Sequence, residues 1–415
     1  MAHRGGRGVV VTGLGAVTPV GNDRETTWRN LIAGNSGVGP ITAFDASASA
    51  VRIAAEVRGF DPAQVLDRKR LRRTARFTQL AIAAAREAVA DSGIVIGPDN
   101  ADRIGVVINA AAAGFDTVEA ATRQLIGGGP RLSPYFASSS LTNMPACETA
   151  IDLGTHGPVL ASGLACASGN AAFLQARQLI LAGEADVVLC GGTDAPITPV
   201  SFAGLISMGA LSRRNDDPKG ASRPFDAERD GFVLGEGAVA AVVELAEHAA
   251  RRGAVPYAMV MGGAFTADAF HVSAPHPDAV YAAAAIRQAL QRAGVAPGEL
   301  DYICAHATGT PAGDSAETAA IRQALGPAAG TVAVSGPKSM VGHIMGAAGA
   351  LGGMICALAI RDGVVPPTIN LETPDPQCDL DYVPNAARQL PVRHAITTAF
   401  GFGGQNCAVV FSAPG

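Results

Sequence analysis

A cysteine flanked by small residues is the first feature of this chain that suggests chemistry. Residues 163–169 read GLACASG and place Cys166 between an apolar segment, 157–161, and a nearly uncharged run, 170–182. These two stretches predict a buried strand and a helix that ends at Gly183. A thiol near the positive end of a helix dipole favours the thiolate, and small neighbours leave room for a substrate. Most free cysteines are buried and inert, so a nucleophile needs further support.

Two later stretches each contain a histidine among small and polar residues. Residues 305–314 read AHATGTPAGD around His306, and residues 338–349 read KSMVGHIMGAAG around His343. Either histidine alone is compatible with a core residue whose hydrogen bonds are satisfied. Near the end of the sequence, residues 400–406 read FGFGGQN, a glycine-rich segment that can bring backbone N–H groups close to another residue.

Together with Cys166, these motifs resemble those of the β-ketoacyl-acyl-carrier-protein synthases. The match is closest to the synthase II type and to the condensing ketosynthase subunits of type II polyketide synthases, and it extends over essentially the whole chain. Alternating strands and helices favour two similar α/β halves. The resemblance implies a thiolase-like α/β fold, with two duplicated halves in an αβαβα layered arrangement. We expect an N-terminal half, residues 1–255, with the cysteine, and a C-terminal half, residues 256–415, with both histidines.

The resemblance implies a decarboxylative Claisen condensation. Cys166 would hold an acyl group as a thioester, because thiolates are strong nucleophiles toward thioesters. His306 and His343 would donate N–H bonds to the enolate oxygen that forms when a malonyl thioester loses CO2. The backbone N–H groups of Cys166 and Phe402 would form an oxyanion hole, with Phe402 also a gate over the acylated cysteine.

Other residues are expected to support this chemistry. Lys338 should be buried and therefore needs an anionic partner, for which the resemblance implies Glu317, with Asp314 close by. Together these groups would hold the histidines and the local charge in place. The residues expected along the pantetheine tunnel are Thr308, Thr310, Ser273 and His271.

Three departures from the usual family pattern accompany these matches. Leu164 replaces a hydroxyl residue, Pro337 replaces a threonine, and residues 111–113 are alanines where glycines are usual. None removes a catalytic group, and together they favour a specialised enzyme. Ala112 falls where bulkier side chains line the floor of the acyl pocket, so a pocket open to long or rigid chains is expected.

Composition restricts the partners and the compartment. The 415 residues have a formal net charge of -5, which gives no reason to expect nucleic-acid binding. Seven cysteines without CxxC spacing indicate reduced thiols, no zinc site and a cytoplasmic protein. The polar residues 1–8 predict no signal peptide. The charge-free run 343–360, rich in glycine and alanine, predicts a buried helix rather than a membrane span.

The resemblance implies an acyl carrier protein as the partner, whose phosphopantetheine arm carries the substrates so that no separate cofactor or metal is expected. The subunit itself should form a homodimer, or a heterodimer with a chain-length-factor paralogue. Carrier proteins are acidic, and one dense basic run in this acidic chain predicts the docking site. Its residues are Arg68, Lys69, Arg70, Arg72, Arg73 and Arg76.

We interpret the chain as a condensing enzyme, with a slight preference for the catalytic subunit of a type II polyketide or polyene system. Synthase II of fatty-acid synthesis is the first alternative. A non-condensing subunit of the chain-length-factor kind would lack the nucleophile, so Cys166 argues against it. A degradative thiolase would use a second cysteine near the end of the sequence, and Cys407 stands there, but within the glycine-rich motif of the condensing enzymes.

Overall fold

The computed structural model describes residues 8–129 and 131–415, so the predicted absence of a signal peptide rests on residues that lie, except for Gly8, outside the described part. The strands are β1 (Val9–Val17), β2 (Gly39–Pro40), β3 (Ile53–Ala54), β4 (Ile104–Asn109), β5 (Val159–Leu160), β6 (Val187–Asp194), β7 (Gly237–Leu245), β8 (Ala258–Ala267), β9 (Tyr302–Cys304), β10 (Ala333–Ser335), β11 (Val364–Val365), β12 (Arg388–Gln389), β13 (His394–Gly401) and β14 (Gln405–Ser412). The helices are α1 (Arg24–Ile32), α2 (Arg68–Leu71), α3 (Arg76–Ser92), α4 (Phe115–Ile126), α5 (Phe136–Ser140), α6 (Met144–Leu153), α7 (Ser168–Leu181), α8 (Pro199–Ser207), α9 (Ala246–Arg251), α10 (Val280–Ala293), α11 (Pro311–Leu325), α12 (Lys338–Val341) and α13 (Gly346–Asp362).

Ten strands form one mixed sheet in the order β10-β9-β13-β14-β8-β1-β7-β6-β4-β5. On one side of its centre, β1, β7 and β6 are antiparallel neighbours, and β4 is parallel to both β6 and β5. On the other side, β8, β14, β13, β9 and β10 repeat the same pairings in the same order. The two halves meet where β1 pairs antiparallel with β8. The strand pairing therefore shows the internal repeat that the alternation of elements predicts.

Two helices fill the interior between the halves. Helix α7 packs on β4 and β6 of the first half and on β8 and β14 of the second, while α13 packs on β6, β7, β13 and β14. The two helices also contact each other, and both are mostly buried. Helices α3 and α6 cover the outer face of the first half, and α10, with α11 against it, covers that of the second. The layers are therefore αβαβα, as expected. Because both halves share this interior, the predicted domain boundary at residue 255 stays a prediction.

The charge-free run near the end of the second half is the buried helix α13, although the helix begins at Gly346 rather than at His343. Among the described helices, none is long and apolar enough to cross a membrane. All seven cysteines are free thiols.

The segment before Cys166 differs from its prediction as a buried strand. Only Val159–Leu160 pair with β4, and these residues are 37% and 43% exposed. They are exposed because β5 is the last strand of the sheet, with a neighbour on one edge only among the described residues. The apolar character of this segment therefore marks an open sheet edge, not the core.

Helix α7 approaches α13 so closely that a glycine is required between them. A Cβ on Gly169 would lie 2.3 Å from the backbone nitrogen of Ala350 and 2.7 Å from the carbonyl oxygen of Gly346. We expect Gly169→Ala to lower the free energy of unfolding by about 3 kcal/mol or more, since overpacking against backbone cannot relax by a rotamer change. Thermal unfolding measures the effect.

The matched control is Gly298→Ala, because a Cβ on Gly298 meets nothing within 4 Å. This variant should unfold within about one degree of the parent, since surface changes are usually within about 0.5 kcal/mol. Equal melting temperatures for the two variants would contradict the close packing of α7 against α13.

Candidate active site

Cys166 lies just before the first turn of α7, buried beneath the surface. The preceding residue, Ala165, has a φ of 46°, an uncommon conformation for a residue with a Cβ. The Sγ atom of Cys166 is 3.0 Å from Nε2 of His343. A cavity of about 390 Å³, which also includes His306, opens on this sulfur. The structure thus brings together the three residues that the sequence motifs single out.

The protonation of Cys166 differs from the expectation drawn from its position beside a helix. Burial raises the pKa of its thiol to about 11, although Lys338 and the backbone N–H groups of Phe402 and Cys166 lower it. The loss of hydration outweighs the helix N-terminus and the nearby cation. The resting residue is therefore a thiol, and the expectation of a predominant thiolate is wrong.

The two histidines come from separate loops of the second half. His306 follows β9, and His343 lies in the loop between α12 and α13. Their rings are nearly perpendicular, with centroids 5.6 Å apart. Burial lowers the pKa of both imidazoles well below the ordinary value, and the charge of Lys338 lowers them further. Both rings are therefore neutral at physiological pH.

Hydrogen bonds select which ring nitrogen carries the proton. The backbone N–H of Met345 donates to Nδ1 of His343 at 3.2 Å, and Nζ of Lys338 lies 3.4 Å from Nδ1 of His306. A neutral imidazole accepts at one nitrogen and donates at the other. Both Nε2 atoms therefore carry a hydrogen, and that of His343 points at the sulfur of Cys166.

This arrangement also bears on metal binding. Cys166, His306 and His343 offer potential ligand atoms that all lie within 4.8 Å of one another. A metal at Nε2 needs a lone pair there, and hence a proton on Nδ1. Because donors already face both Nδ1 atoms, the tautomers suit hydrogen-bond donation to an oxygen rather than metal coordination.

Lys338 is buried as predicted, and Glu317 is the strongest of its charge partners, although no direct ion pair joins the two among the described residues. Its Nζ donates to the carbonyl oxygen of His306. The carboxylate of Glu317 instead accepts the backbone N–H groups of His306 and Ala307, at 2.8 and 2.7 Å, and the hydroxyl of Thr398. Burial lowers the pKa of Lys338, and Glu317 opposes this only at longer range. Glu317 therefore orients the loop that holds His306.

Asp314 connects the loop that holds His306 to Phe225, which lies in the segment between α8 and β7. Its carboxylate accepts the backbone N–H of Phe225 at 2.8 Å and that of Gly309 at 3.0 Å. Burial raises the pKa of Asp314 to about 7. Beside it, the Thr308 and Thr310 hydroxyls lie 3.0 Å apart and line the cavity, where the pantetheine arm was expected.

The predicted tunnel residues do not all reach the cavity. Ser273 lines it, but His271 is exposed, because its Nδ1 accepts the backbone N–H groups of Ser273 and Ala274 and so closes a surface turn. The prediction for His271 is therefore wrong, and His276, from the same stretch, lines the cavity in its place. Ala112 is buried but is not among the residues that line this cavity, so its role in an acyl pocket stays a prediction.

The glycine-rich loop near the end of the sequence lies against Cys166, as predicted. The backbone N–H of Phe402 interacts with the Cys166 sulfur. A side-chain hydrogen bond fixes the end of this loop, because Nδ2 of Asn406 donates to the carboxylate of Asp268 at 2.7 Å. Cys407, by contrast, is buried within β14 and is not among the cavity-lining residues, which argues against a thiolase-like acid/base role.

Half of the predicted docking residues form ion pairs with carboxylates of the same chain. Ion pairs join Arg70 to Asp152, Arg73 to Glu148 and Arg76 to Glu236. The side chains of all three carboxylates are less than one tenth exposed, so these arginines neutralise buried charges. Three basic residues are exposed and take part in no ion pair within the described residues, namely Arg68, Lys69 and Arg72.

One functional group escaped the sequence analysis because it belongs to the backbone. Met345, with φ 50° and ψ -119°, directs its N–H at His343. No side-chain type signals such a donor. His276 could have been found, because it stands in the same polar stretch as Ser273.

Comparison with known proteins agrees with this geometry. The family model described as the beta-ketoacyl synthase N-terminal domain matches residues 6–249, and that of the C-terminal domain matches residues 257–372. The chain is 48% identical over 412 residues to a 3-oxoacyl-[acyl-carrier-protein] synthase 2 of Synechocystis, covering 99% of each chain. It is 46% identical to the protein of the same name from Coxiella burnetii, covering 98% of each.

Two solved structures are similar over the whole chain. A type II polyketide synthase ketosynthase, bound to the hexaketide and in complex with its acyl-carrier protein, has a TM-score of 0.91 at 33% identity, covering 99% of this chain and 100% of that one. The ishigamide ketosynthase/chain length factor has a TM-score of 0.92 at 36% identity, with the same coverage. The fold is therefore the thiolase-like fold of the ketosynthases.

The chain belongs to the β-ketoacyl synthase family. Within that family it is a ketosynthase, an enzyme of the acyltransferase class, and Cys166, His306 and His343 line one cavity.

The raised pKa of the Cys166 thiol predicts how the enzyme reacts with an alkylating agent. Carboxamidomethylation of Cys166 by iodoacetamide should accelerate about tenfold per pH unit from neutrality upward and continue to rise to about pH 11, because the thiolate fraction grows until the pH reaches the pKa. Peptide mapping by mass spectrometry measures the rate at this residue and separates it from that of the half-exposed Cys147. A plateau reached below pH 9 would show that the thiol is more acidic than its burial indicates.

Proposed function

We propose that this enzyme condenses an acyl group held on Cys166 with a malonyl group carried by an acyl carrier protein, and that its pathway is fatty-acid elongation. The observation that supports condensation is the pair of neutral imidazoles, His306 and His343, with Nε2–H donors beside the Cys166 sulfur. Such donors stabilise an oxygen that becomes negative during reaction. The substrates arrive on a phosphopantetheine arm, and we propose no separate cofactor or metal.

The first half-reaction transfers the acyl group. The Cys166 sulfur attacks the thioester carbonyl, the backbone N–H groups of Cys166 and Phe402 stabilise the oxyanion, and the bond to the pantetheine sulfur breaks. The proton of the Cys166 thiol ends on the departing pantetheine thiol. Exchange of one thiol for another needs no stable thiolate at rest, which is consistent with the raised pKa of Cys166.

The second half-reaction makes the carbon–carbon bond. The malonyl carboxylate leaves as CO2, and the electrons of the broken carbon–carbon bond form an enolate. The enolate oxygen accepts hydrogen bonds from the N–H groups of His306 and His343. The enolate carbon then attacks the acyl carbonyl on Cys166. As the bond from this carbonyl to sulfur breaks, the Cys166 sulfur leaves as a thiolate and takes up a proton from solvent, and the elongated β-ketoacyl chain remains on the carrier protein.

Fatty-acid elongation fits the comparisons better than the specialised polyketide pathway that the sequence departures favour. The relatives named synthase 2 are 46% and 48% identical, whereas the polyketide-related structures are 33% and 36% identical. The substitutions at Leu164, Pro337 and residues 111–113 leave the site geometry intact, so they carry little weight for the pathway.

An apolar surface supports assembly into a dimer. Exposed apolar residues stand on β5 and on the segments of α4 and α5, namely Phe115, Leu125, Ile126, Tyr135, Leu141 and Leu160. Helices α4 and α5 contact each other, and α6 connects α5 with β5. Exposed apolar residues near an unpaired strand edge are typical of an interface. We propose that a second copy of this chain covers this surface, which agrees with fatty-acid elongation; a chain-length-factor paralogue there would indicate the polyketide alternative.

Separating the half-reactions tests the condensing function. His306→Ala and His343→Ala should each lower malonyl-carrier decarboxylation about a hundredfold or more, since one oxyanion donor contributes about that factor, while Cys166 is still acylated. Cys166→Gln should retain decarboxylation because the histidines and the tunnel remain. Release of CO2 and the mass of the acylated enzyme are the measurements. Wild-type decarboxylation by His343→Ala would overturn the proposed enolate role.

Product analysis tests the pathway. The purified chain alone, supplied with saturated acyl-carrier and malonyl-carrier substrates, should add one two-carbon unit to each acyl chain and should sediment at twice its mass of 41.8 kDa. Activity that appears only with a paralogous subunit, and products that hold several unreduced keto groups, would instead establish the polyketide alternative. Mass spectrometry and sedimentation equilibrium distinguish the two outcomes.

Docking of the carrier depends on the exposed basic residues alone. Arg68→Glu with Lys69→Glu should raise KM for carrier-bound substrate about tenfold and flatten its salt dependence, while small thioester analogues react normally. Arg73→Glu is the contrasting variant, because it leaves Glu148 unpaired and should lower the free energy of unfolding by about 1–3 kcal/mol. An unchanged KM in the double variant would place the docking site elsewhere.

A further inference from the structure

A buried carboxylate outside the expected site joins two segments that border it. Asp194 is the last residue of β6 and is fully buried. Its Oδ2 accepts the backbone N–H of Gly346 at 2.6 Å and that of Ala111 at 2.9 Å, and its Oδ1 accepts the N–H of Ala112 at 2.9 Å. One side chain therefore connects the start of α13 with the loop after β4.

The contact with α13 lies next to the group that sets the tautomer of His343. Gly346 directly follows Met345, whose N–H donates to Nδ1 of His343. Met345 has a positive φ of 50°, which is costly for a residue with a Cβ and persists only when neighbouring contacts hold it. The hydrogen bond from Gly346 to Asp194 is such a contact.

The backbone at the start of α13 packs closely against Asp194. A Cβ on Gly346 would lie 2.7 Å from Oδ2 of Asp194 and 2.8 Å from the nitrogen of Ala111. Within the described part of the chain, no cation lies within ion-pair distance of Asp194, so backbone N–H groups and the positive end of α13 stabilise its charge. Burial raises the pKa of Asp194 to about 6, which leaves it mostly ionised above neutrality.

We propose that Asp194 is a positioning residue for decarboxylation. It holds the peptide between Met345 and Gly346, so that the Met345 N–H keeps His343 in the tautomer that donates from Nε2. The same carboxylate accepts the N–H groups of Ala111 and Ala112. One side chain therefore fixes both the predicted floor of the acyl pocket and the loop that contains His343. This inference rests on the proposed role of His343 as an enolate-stabilising donor.

The selectivity of the effect distinguishes positioning from general stabilisation. Loss of the anchor frees Met345 from its strained conformation and allows the proton of His343 to move to Nδ1. The enolate then loses a donor, whereas acylation of Cys166 keeps its backbone donors. The step that depends on His343 should therefore slow much more than acylation.

The test compares Asp194→Asn with Glu87→Gln. Glu87 is the control, because its carboxylate also accepts two backbone N–H groups, from Ala16 and Arg24, although it is only partly buried and is not among the residues that line the cavity. Asn keeps one acceptor oxygen and turns an amide N–H toward a backbone N–H. In the Cys166→Gln background, Asp194→Asn should decarboxylate malonyl-carrier at least tenfold more slowly, and Glu87→Gln should not.

The acylation rate of Cys166 is measured in variants that carry the same substitutions with Cys166 intact. In Asp194→Asn this rate should stay within threefold of the parent's. NMR of isotope-labelled histidine nitrogens should show that His343 loses its single Nε2–H tautomer in Asp194→Asn. Should this variant fail to fold, Asp194→Glu, which keeps the charge but displaces it, replaces it in both measurements.

Parent-like decarboxylation, an equal loss in both half-reactions, or the same selective loss in Glu87→Gln would each overturn the positioning role. If the Cys166→Gln parent itself does not decarboxylate, the proposed condensing function fails instead. The histidine spectra then still decide the positioning role, because an unchanged tautomer in Asp194→Asn contradicts it and a changed one supports it.

Discussion

The close contact between α7 and α13 is the constraint on which the site depends. Cys166 precedes α7 in the first half of the chain, and His343 precedes α13 in the second. Their reactive atoms can be 3.0 Å apart only because the two helices start side by side, with Gly169 against the backbone of α13. A side chain at this contact would separate the nucleophile from one of its donors. Catalysis here is a consequence of backbone packing between two repeats.

Burial of the site decides the charge of every group in it. The same loss of hydration raises the pKa of Cys166 and lowers those of His306, His343 and Lys338. The resting site thus has a thiol and two neutral imidazoles. In the proposed reaction, negative charge develops on substrate oxygens, and the N–H donors of the site are already in place to stabilise it. Glu317 and Asp314 contribute by holding the loops that present these donors.

The sequence predicted which residues the structure brings together, because their motifs are local. Cys166, His306, His343 and Lys338 each stand in a short segment whose glycines and small residues report the backbone shape directly. Local pattern and observed structure agree where neighbours in sequence decide the conformation.

The errors concern partners that are distant in sequence. Three basic residues of the predicted docking patch neutralise buried carboxylates. The direct contacts of Glu317 are backbone N–H groups, and it acts on Lys338 only at longer range. No local pattern encodes these contacts. The exposure of β5 depends on its place at the end of the sheet, and a short apolar run reads the same at an edge and in the core.

The position of β5 has a consequence for how such an enzyme can change. Only a few residues separate the end of this edge strand from Cys166. A neighbouring subunit that paired with the strand would therefore contact the chain close in sequence to the nucleophile. Replacing that neighbour would reshape the surroundings of the sulfur without a single substitution in this chain. Specificity in this architecture can therefore evolve in a second gene, while the residues that perform the reaction remain constant.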